Sequence, residues 1–228
     1  MKTKITTLFV TLALFVLVAG MVSAIGQPSG ATLSGLTDYG EIQNDTAGIV
    51  NLTSGNITHV DLDTTMTTFR WAGLMGDVSG NIELGDTAGA TMFQWTGAGN
   101  LVYASTGNPT WSDFQDAVEG DMPAYLRGSD SDNYATTFVG GAENIGSAIF
   151  NTTTSDFATT ISTGATVWKT YSLRDNEATP NLIWVGAVVE DGDSFRGAET
   201  VDYQMIIPEM GVGEDYTPTE HNLWVELY

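Results

Sequence analysis

The chain of 228 residues contains no cysteine. A secreted protein of this size would be free to use disulfides. Without them, its stability has to come from burial, strand pairing, ions, glycans or assembly. The same absence excludes structural zinc sites that are built from cysteine.

Basic residues are scarce, with 7 Lys and Arg against 28 Asp and Glu, so the formal net charge is −21. Such a surface repels nucleic acid, whose binding requires neutralisation of phosphates, and it also repels anionic membranes. It would attract divalent cations or tolerate high salt, and copies that assemble would need their mutual repulsion to be screened. We therefore expect no nucleic-acid partner.

Catalytic signatures are missing as well. The sequence has no Gly-x-Ser-x-Gly elbow, no phosphate loop and no His-Glu-x-x-His motif. With only His59 and His221 and no cysteine, a nucleophile–base triad has few possible members. The 28 acidic residues do not exclude glycoside hydrolysis, because that reaction needs only two carboxylates at the right separation. We expect a protein that is not an enzyme and has no catalytic residues.

The N-terminus has the features of a secretory signal. Lys2 and Lys4 precede the apolar stretch Leu8–Gly20, and Val22-Ser23-Ala24 matches a small-x-small cleavage site. We predict that residues 1–24 are a signal peptide and that the mature protein is secreted, extracellular or at the cell surface. Loss of the two lysines takes the net charge from −21 to −23. The alternative is an uncleaved anchor helix, because the apolar run approaches the ~18–20 residues that span a bilayer, and membrane contact is expected in that case alone.

The remainder divides into an arm and a domain. Residues 25–46 are rich in Gly, Ser, Thr and Asp, which fits either a flexible N-terminal arm or an extended strand that lacks a partner. Residues 47–228 show repeated period-2 segments with turn signals. They predict a single all-β domain, an antiparallel β-sandwich of jelly-roll or Ig-like type, with one or two short helices.

The stretch Thr67–Trp95 is expected to form three short strands with turns. Within it, Val78, Gly80, Ile82 and Leu84 alternate with polar residues, which predicts a half-buried strand. Leu182–Val189 is apolar on both faces and is the predicted central strand. The further predicted strands are Ile49–Leu52, Ile57–Leu62, Asn100–Ser105, Phe157–Ile161, Thr166–Ser172, Val201–Ile207 and Asn222–Tyr228.

Two other local patterns affect the expected architecture. The last strand, Asn222–Tyr228, has an aromatic outer face, so it must lie inside a sheet or pair with another molecule. A short helix is predicted from Thr110, as N-cap, to Gly120, with Trp111, Phe114 and Val118 on one face.

Two acidic loops are candidate Ca²⁺ sites, since carboxylate and carbonyl oxygens are the ligands that this ion prefers. Neither is an EF-hand loop, and solvated acidic turns are the alternative. A further set, His59, Asp61 and Asp63, fits either a divalent metal site or the solvent face of a strand. The candidate Ca²⁺ ligands are Asp130 and Asp132 in the first loop and Glu190, Asp191 and Asp193 in the second.

Four sequons follow the signal peptide, and in a secreted protein they are acceptor candidates for covalent N-glycans. Three of them lie close together in the sequence. The acceptors are Asn44, Asn51, Asn56 and Asn151.

Three motifs resemble those of a largely uncharacterised family of secreted archaeal cell-surface proteins, over roughly Thr58 to Tyr228. They are W-x-G-x-x-G-x-V-S-G-x-I-x-L, then D-Y-Q-x-x-x-P, then V-E-L after a C-terminal aromatic residue. The resemblance implies an envelope or extracellular setting, and the motifs look like packing and turn signatures. The matching residues are Trp71, Gly73, Gly76, Val78, Ser79, Gly80, Ile82, Leu84, Asp202, Tyr203, Gln204, Pro208, Val225, Glu226 and Leu227.

These observations favour a structural subunit of a filament, sheath or surface layer. We expect it to assemble with itself or with other envelope proteins, by addition of the 25–46 arm as a strand to the next copy. The alternative is a secreted carbohydrate-binding or adhesin module that stacks sugars on Trp111, Trp168 and Trp224, aided by Ca²⁺. Trp184 lies among apolar neighbours and is expected in the core.

Overall fold

A computed structural model of the chain describes residues 28–33, 35, 37–38, 51, 53–54, 56–57, 59–62, 65–111, 113–141, 143–145, 154–155, 157–161, 165–210 and 219–228. All strand pairs between these residues are antiparallel. The α-helix of this part of the chain is a single turn, α1 (Tyr134–Thr137), which the Asn133 side chain caps by accepting from the Thr136 N–H at 2.8 Å. The predicted all-β antiparallel class is confirmed. None of the helical segments described is long and apolar enough to span a bilayer.

Fifteen strands and two 3-10 turns are present in the described residues. The turns are Glu119–Asp121 and Ala124–Leu126. The strands are β1 (Ser29–Gly30), β2 (Trp71–Gly76), β3 (Gly80–Gly85), β4 (Thr91–Gly97), β5 (Gly99–Ser105), β6 (Gln115–Asp116), β7 (Glu143–Asn144), β8 (Thr154–Ser155), β9 (Phe157–Ile161), β10 (Val167–Arg174), β11 (Leu182–Ala187), β12 (Gly192–Asp193), β13 (Thr200–Val201), β14 (Tyr203–Pro208) and β15 (Asn222–Leu227).

The main sheet has the order β1-β15-β5-β11-β10, and β6 and β9 lie end to end along the outer edge of β10. The central position predicted for Leu182–Val189 is confirmed, because β11 pairs with β5 on one side and with β10 on the other. Its Ile183, Trp184 and Val185 side chains are buried. The expectation that Trp184 is a core residue is therefore confirmed.

Both faces of the main sheet are covered, which explains why β11 has no polar face. On one face lies the β2–β14 pair, and the edge of the Trp71 ring meets the Trp184 ring with 5.8 Å between centroids. Tyr103, Leu173 and Ile183 belong to a second apolar cluster on the opposite face. Burial of this kind is the dominant favourable term in folding, at roughly 25 cal/mol per Å² of apolar surface.

Residues of the three sequence motifs meet in the fold and have structural contacts. Asp202 accepts a hydrogen bond from the Val78 N–H at 2.9 Å, which fixes the connection between β2 and β3. Leu227 lies so close to Gly80 that a Cβ there would be 2.6 Å from its Cδ1 atom. Asp202 therefore fixes a turn, and Leu227 packs at the start of β3.

The predicted helix from Thr110 to Gly120 is wrong. Gln115 and Asp116 form β6 instead and pair with the outer edge of β10. Phe114 is buried whereas Val118 is exposed, so the two do not share a face. The pairing of an open sheet edge outweighs the local capping signal, because capping contributes only about 1 kcal/mol.

Two strand predictions also need correction. Residues 59–62, within the predicted strand Ile57–Leu62, have no strand structure, and the Ile57 and Leu62 side chains are exposed. The strand containing Ile82 and Leu84 exists as β3, but its apolar side is not buried. The predicted strand Ile49–Leu52 lies almost entirely outside the described residues.

Candidate functional site

The edge of the main sheet joins the first and last strands of the described chain. Ser29 pairs with Val225 and Gly30 with Trp224, and the Ala31 N–H donates to the Leu223 carbonyl oxygen at 2.9 Å. Pro28 is buried, whereas Ser29 and Gly30 are exposed. Part of the predicted 25–46 arm is therefore a short strand of the sheet, placed on the C-terminal strand.

A long tether separates β1 from the rest of the domain. The segment from Ala31 to Arg70 contains 40 residues, and every described residue from Ala31 to Met66 is exposed. A chain of 40 residues spans at most about 130–145 Å when fully extended. That limit exceeds the width of a small domain, so the length of this segment does not prevent β1 from reaching a neighbouring molecule.

Two of the three predicted sugar-binding tryptophans are in contact. Trp111 and Trp224 have ring centroids 5.1 Å apart at 75°, and Trp111 also meets Tyr103 at 5.3 Å and 84°. Both tryptophans are half-buried. Edge-to-face rings of this kind pack favourably with one another, but they do not form one flat surface for stacking a sugar.

The prediction that Trp168 binds sugar is wrong. Its side chain is 1% exposed, and its Nε1–H donates to the Asp193 carbonyl oxygen at 3.1 Å. A ring with no exposed face cannot stack on a ligand, so Trp168 is a core residue. The alternating pattern of β10 did not reveal this, because the residue that covers Trp168, Gly192, lies 24 positions further along the chain.

The first acidic loop is held by an arginine. Arg70 donates to Asp130 Oδ2 at 2.6 Å and also to Asp132, and Thr68 donates to Asp132 Oδ2 at 2.7 Å. Burial raises the pKa of Asp132, but the hydrogen bonds from Thr68 and Arg70 outweigh that effect and hold it below its usual 3.8. The two carboxylates thus already have a cationic partner, which the sequence pattern did not indicate.

The second acidic loop is ordered through its backbone. The Asp191 N–H donates to Asp202 Oδ1 at 3.1 Å, and the Asp193 N–H donates to Thr166 Oγ1 at 3.0 Å. Throughout the described residues, no three His, Asp or Glu side chains are grouped so that they could hold a metal ion. Ca²⁺ binding by Glu190, Asp191 and Asp193 stays a prediction.

The remaining candidates lie on exposed or undescribed segments. His59 Nε2 is 3.0 Å from Asp61 Oδ1 and both side chains are highly exposed, while Asp63 lies outside the described residues. Asn51 and Asn56 are exposed, as acceptors of N-glycans must be. Asn44 and Asn151 also lie outside the described residues.

A surface that the sequence prediction missed is the apolar face of the β3–β4 hairpin. Ile82 pairs with Trp95 and Leu84 with Phe93, so all four side chains lie on one face. The exposed fraction is 41% for Ile82, 49% for Trp95, 52% for Leu84 and 55% for Phe93. The alternation in the sequence correctly predicts which residues share this face. It wrongly predicts that the face is buried.

Comparisons of the chain with protein-family models, curated proteins and solved structures found no match. The resemblance to secreted archaeal surface proteins therefore stays a prediction.

Proposed function

We propose that this chain is a non-catalytic extracellular structural subunit of a filament, sheath or surface layer, and that its copies join by exchange of β1. The observation that supports the proposal is the pairing of β1 with β15 at the edge of the main sheet. The 40-residue segment that follows β1 is long enough for exchange, and its described residues up to Met66 are exposed. A strand at such a position can pair with its own sheet or with the equivalent edge of the next copy.

The free-energy balance between the two states is close, because exchange remakes the same backbone hydrogen bonds. Intramolecular pairing benefits from the covalent connection of β1 to its own domain, which gives β1 an effective concentration that neighbouring copies have to exceed. Exchange is therefore expected when subunits are concentrated, as they are at a cell surface. A head-to-tail exchange does not close on itself and extends into a fibre.

Charge modulates this equilibrium. A mature chain of net charge −23, after loss of Lys2 and Lys4 from −21, repels its own copies. Salt screens that repulsion over a Debye length of about 10 Å at 0.1 M ionic strength. Assembly is accordingly expected to increase with salt, and divalent cations act in the same direction.

The test uses the mature chain, residues 25–228, studied by light scattering and negative-stain electron microscopy at several salt concentrations, with and without Ca²⁺. Ala31→Pro removes the N–H that donates to Leu223. Leu62→Pro is the matched control, because it places proline in the exposed tether away from β1. We expect assemblies from the wild type and from Leu62→Pro but not from Ala31→Pro. Wild-type protein that stays monomeric under all these conditions would refute the proposal.

A second candidate function rests on the contact between Trp111 and Trp224. Carbohydrate binding at this half-buried pair would use the exposed part of one of the two rings. A glycan array and fluorescence titration with cell-wall polysaccharides test it. Loss of a measured affinity in Trp224→Ala, with no loss in Trp95→Ala, supports this function. The absence of any binding by the wild type excludes it.

A further inference from the structure

The β3–β4 hairpin is a preformed element with one polar and one apolar face. On its polar face, Glu83 accepts hydrogen bonds from Gln94 at 2.6 Å and Thr91 at 2.7 Å. Its turn is fixed by Asp86, whose side chain accepts from the Ala88 and Ala90 N–H groups at 2.9 Å. These bonds set the register of the two strands, so the apolar face is a defined surface.

The apolar face is uncovered within the described structure. It consists of Ile82, Leu84, Phe93 and Trp95, and the Phe93 and Trp95 rings lie 4.7 Å apart. With side-chain areas of roughly 200 Å² that are about half exposed, the face presents about 400 Å² of apolar surface. A patch of that size matches the largest apolar patch of a typical monomer, which is often functional. A two-stranded ribbon alone is only marginally stable in water.

The hairpin is attached to the strand that receives β1. Leu227, at the end of β15, lies against Gly80 and Gly97 at the hairpin base, and Ala98 and Tyr228 exchange backbone hydrogen bonds of 3.1 and 3.0 Å. The apolar face and the open sheet edge are therefore connected through a single strand. Any contact made by the hairpin brings a partner close to the site of β1 exchange.

We propose that the apolar face of the β3–β4 hairpin docks against the same face of a second copy of this chain. The face has no charged side chain, whereas the chain as a whole has a net charge of −21, so two such faces meet without bringing carboxylates together. Nucleic acids and anionic membranes are disfavoured as occupants, because the hairpin has no Lys or Arg. Two identical faces form a two-fold interface, with the sheets about 10 Å apart.

The size of the contact determines its role. Two faces together bury about 800 Å², below the 1,200–2,000 Å² that is typical of stable interfaces. The hairpin contact alone therefore gives a weak dimer. In combination with β1 exchange it provides lateral cohesion between copies, and only this part of the inference rests on the proposed function.

Cross-linking of single cysteines tests the contact, since the natural chain contains none. Leu84→Cys places a thiol on the apolar face, and Asn81→Cys places one on the opposite face of the same strand without removing the Glu83 hydrogen bonds. With a short bismaleimide at high protein concentration, we expect several-fold more covalent dimer from Leu84→Cys than from Asn81→Cys. Equal yields from the two positions, or no dimer from either, would overturn the proposal.

The same comparison in the Ala31→Pro background separates the two proposals. Dimer that persists at position 84 in this background supports the hairpin contact even if the wild type forms no filaments. If Leu84→Cys no longer forms the covalent dimer in this background, the hairpin contact depends on strand exchange. The proposal of an independent interface is then overturned. Phe93→Ser should abolish the dimer, while Thr96→Ala, on the polar face of the same strand, should not. Circular dichroism verifies the fold of each variant.

Discussion

The hydroxyl of Tyr103 donates a hydrogen bond of 2.5 Å to Glu226 Oε2, and both side chains are buried between strands β5 and β15. A buried carboxylate is costly unless donors satisfy it, and Asn100 supplies another at 3.1 Å. This polar contact anchors β15, the strand that receives β1 and bears the hairpin base. The integrity of both proposed contacts between copies therefore depends on it.

Tyr103→Phe removes this donor and leaves the ring in place. Because hydrogen bonds to charged groups contribute about 1.5–3 kcal/mol, we expect the free energy of unfolding to fall by about that amount in urea denaturation. Tyr203→Phe is the control, since its hydroxyl has no hydrogen-bond partner within the described residues, and it should change stability little. Equal effects of the two substitutions would contradict the assigned role of Glu226.

Asp175 predicts a pH dependence of stability. Its carboxylate is buried and accepts from the Asn181 N–H and Nδ2 at 2.8 Å and from the Thr110 N–H at 3.2 Å. Burial raises the pKa of Asp175, but the hydrogen bonds, chiefly from Asn181, outweigh burial and hold it below its usual 3.8.

Because the unfolded chain binds this proton at a higher pH than the folded chain does, the contribution of Asp175 is complete above about pH 4 and is lost as the pH falls through its folded pKa. Asp175→Asn should therefore lower the free energy of unfolding at pH 7 by about 1–3 kcal/mol. The difference from the wild type should shrink at acid pH, measured by urea denaturation across the range. A difference that stays constant with pH would contradict the prediction.

Gly192 is predicted to be intolerant of any side chain. A Cβ at this position would lie 2.5 Å from Cη2 of Trp168 and 2.9 Å from Cγ2 of Thr166. Gly192→Ala should cost about 1–3 kcal/mol through overpacking, seen as a lower midpoint of thermal unfolding. Gly73→Ala, where a Cβ meets nothing within 4 Å, is the matched control and should be neutral or slightly stabilising. Equal midpoints for the two variants would show that Trp168 can move.

The spacing of apolar residues in the sequence predicted strands such as β5, β11 and β14. It could do so because the direction of a side chain in a strand depends on local geometry alone. It did not predict what covers each face. Ile82 and Leu84 alternate as a buried strand would, yet both side chains are exposed. Alternation shows which residues share a face, and coverage of that face depends on elements elsewhere in the chain.

The candidate sites were harder to predict than the strands for the same reason. Trp168 is covered by Gly192, and Asp132 is held by Arg70, which is 62 residues away in sequence. The proposed strand exchange was easier to anticipate, because an arm poor in large apolar residues and a terminal aromatic strand are both visible locally. Their pairing with each other was not visible in the sequence.

The Arg70 contacts give a direct test of the first acidic loop as a Ca²⁺ site. The Arg70 guanidinium also donates from Nε to the Tyr125 carbonyl oxygen at 2.5 Å, so it connects two loops to β2. Arg70→Gln should lower the free energy of unfolding by about 1–3 kcal/mol. Arg196→Gln removes the same charge from an exposed position and should cost about 1 kcal/mol or less.

Calcium distinguishes the two roles of the loop. If Arg70 is the resident cation for Asp130 and Asp132, millimolar Ca²⁺ should raise the thermal midpoint of Arg70→Gln more than that of the wild type, because the substitution frees two carboxylates for the ion. EDTA should reverse the gain. If Ca²⁺ instead raises the thermal midpoint of the wild type more than that of Arg70→Gln, the loop binds the ion with the arginine in place. The assignment of Arg70 as the cation for these two carboxylates would then be wrong.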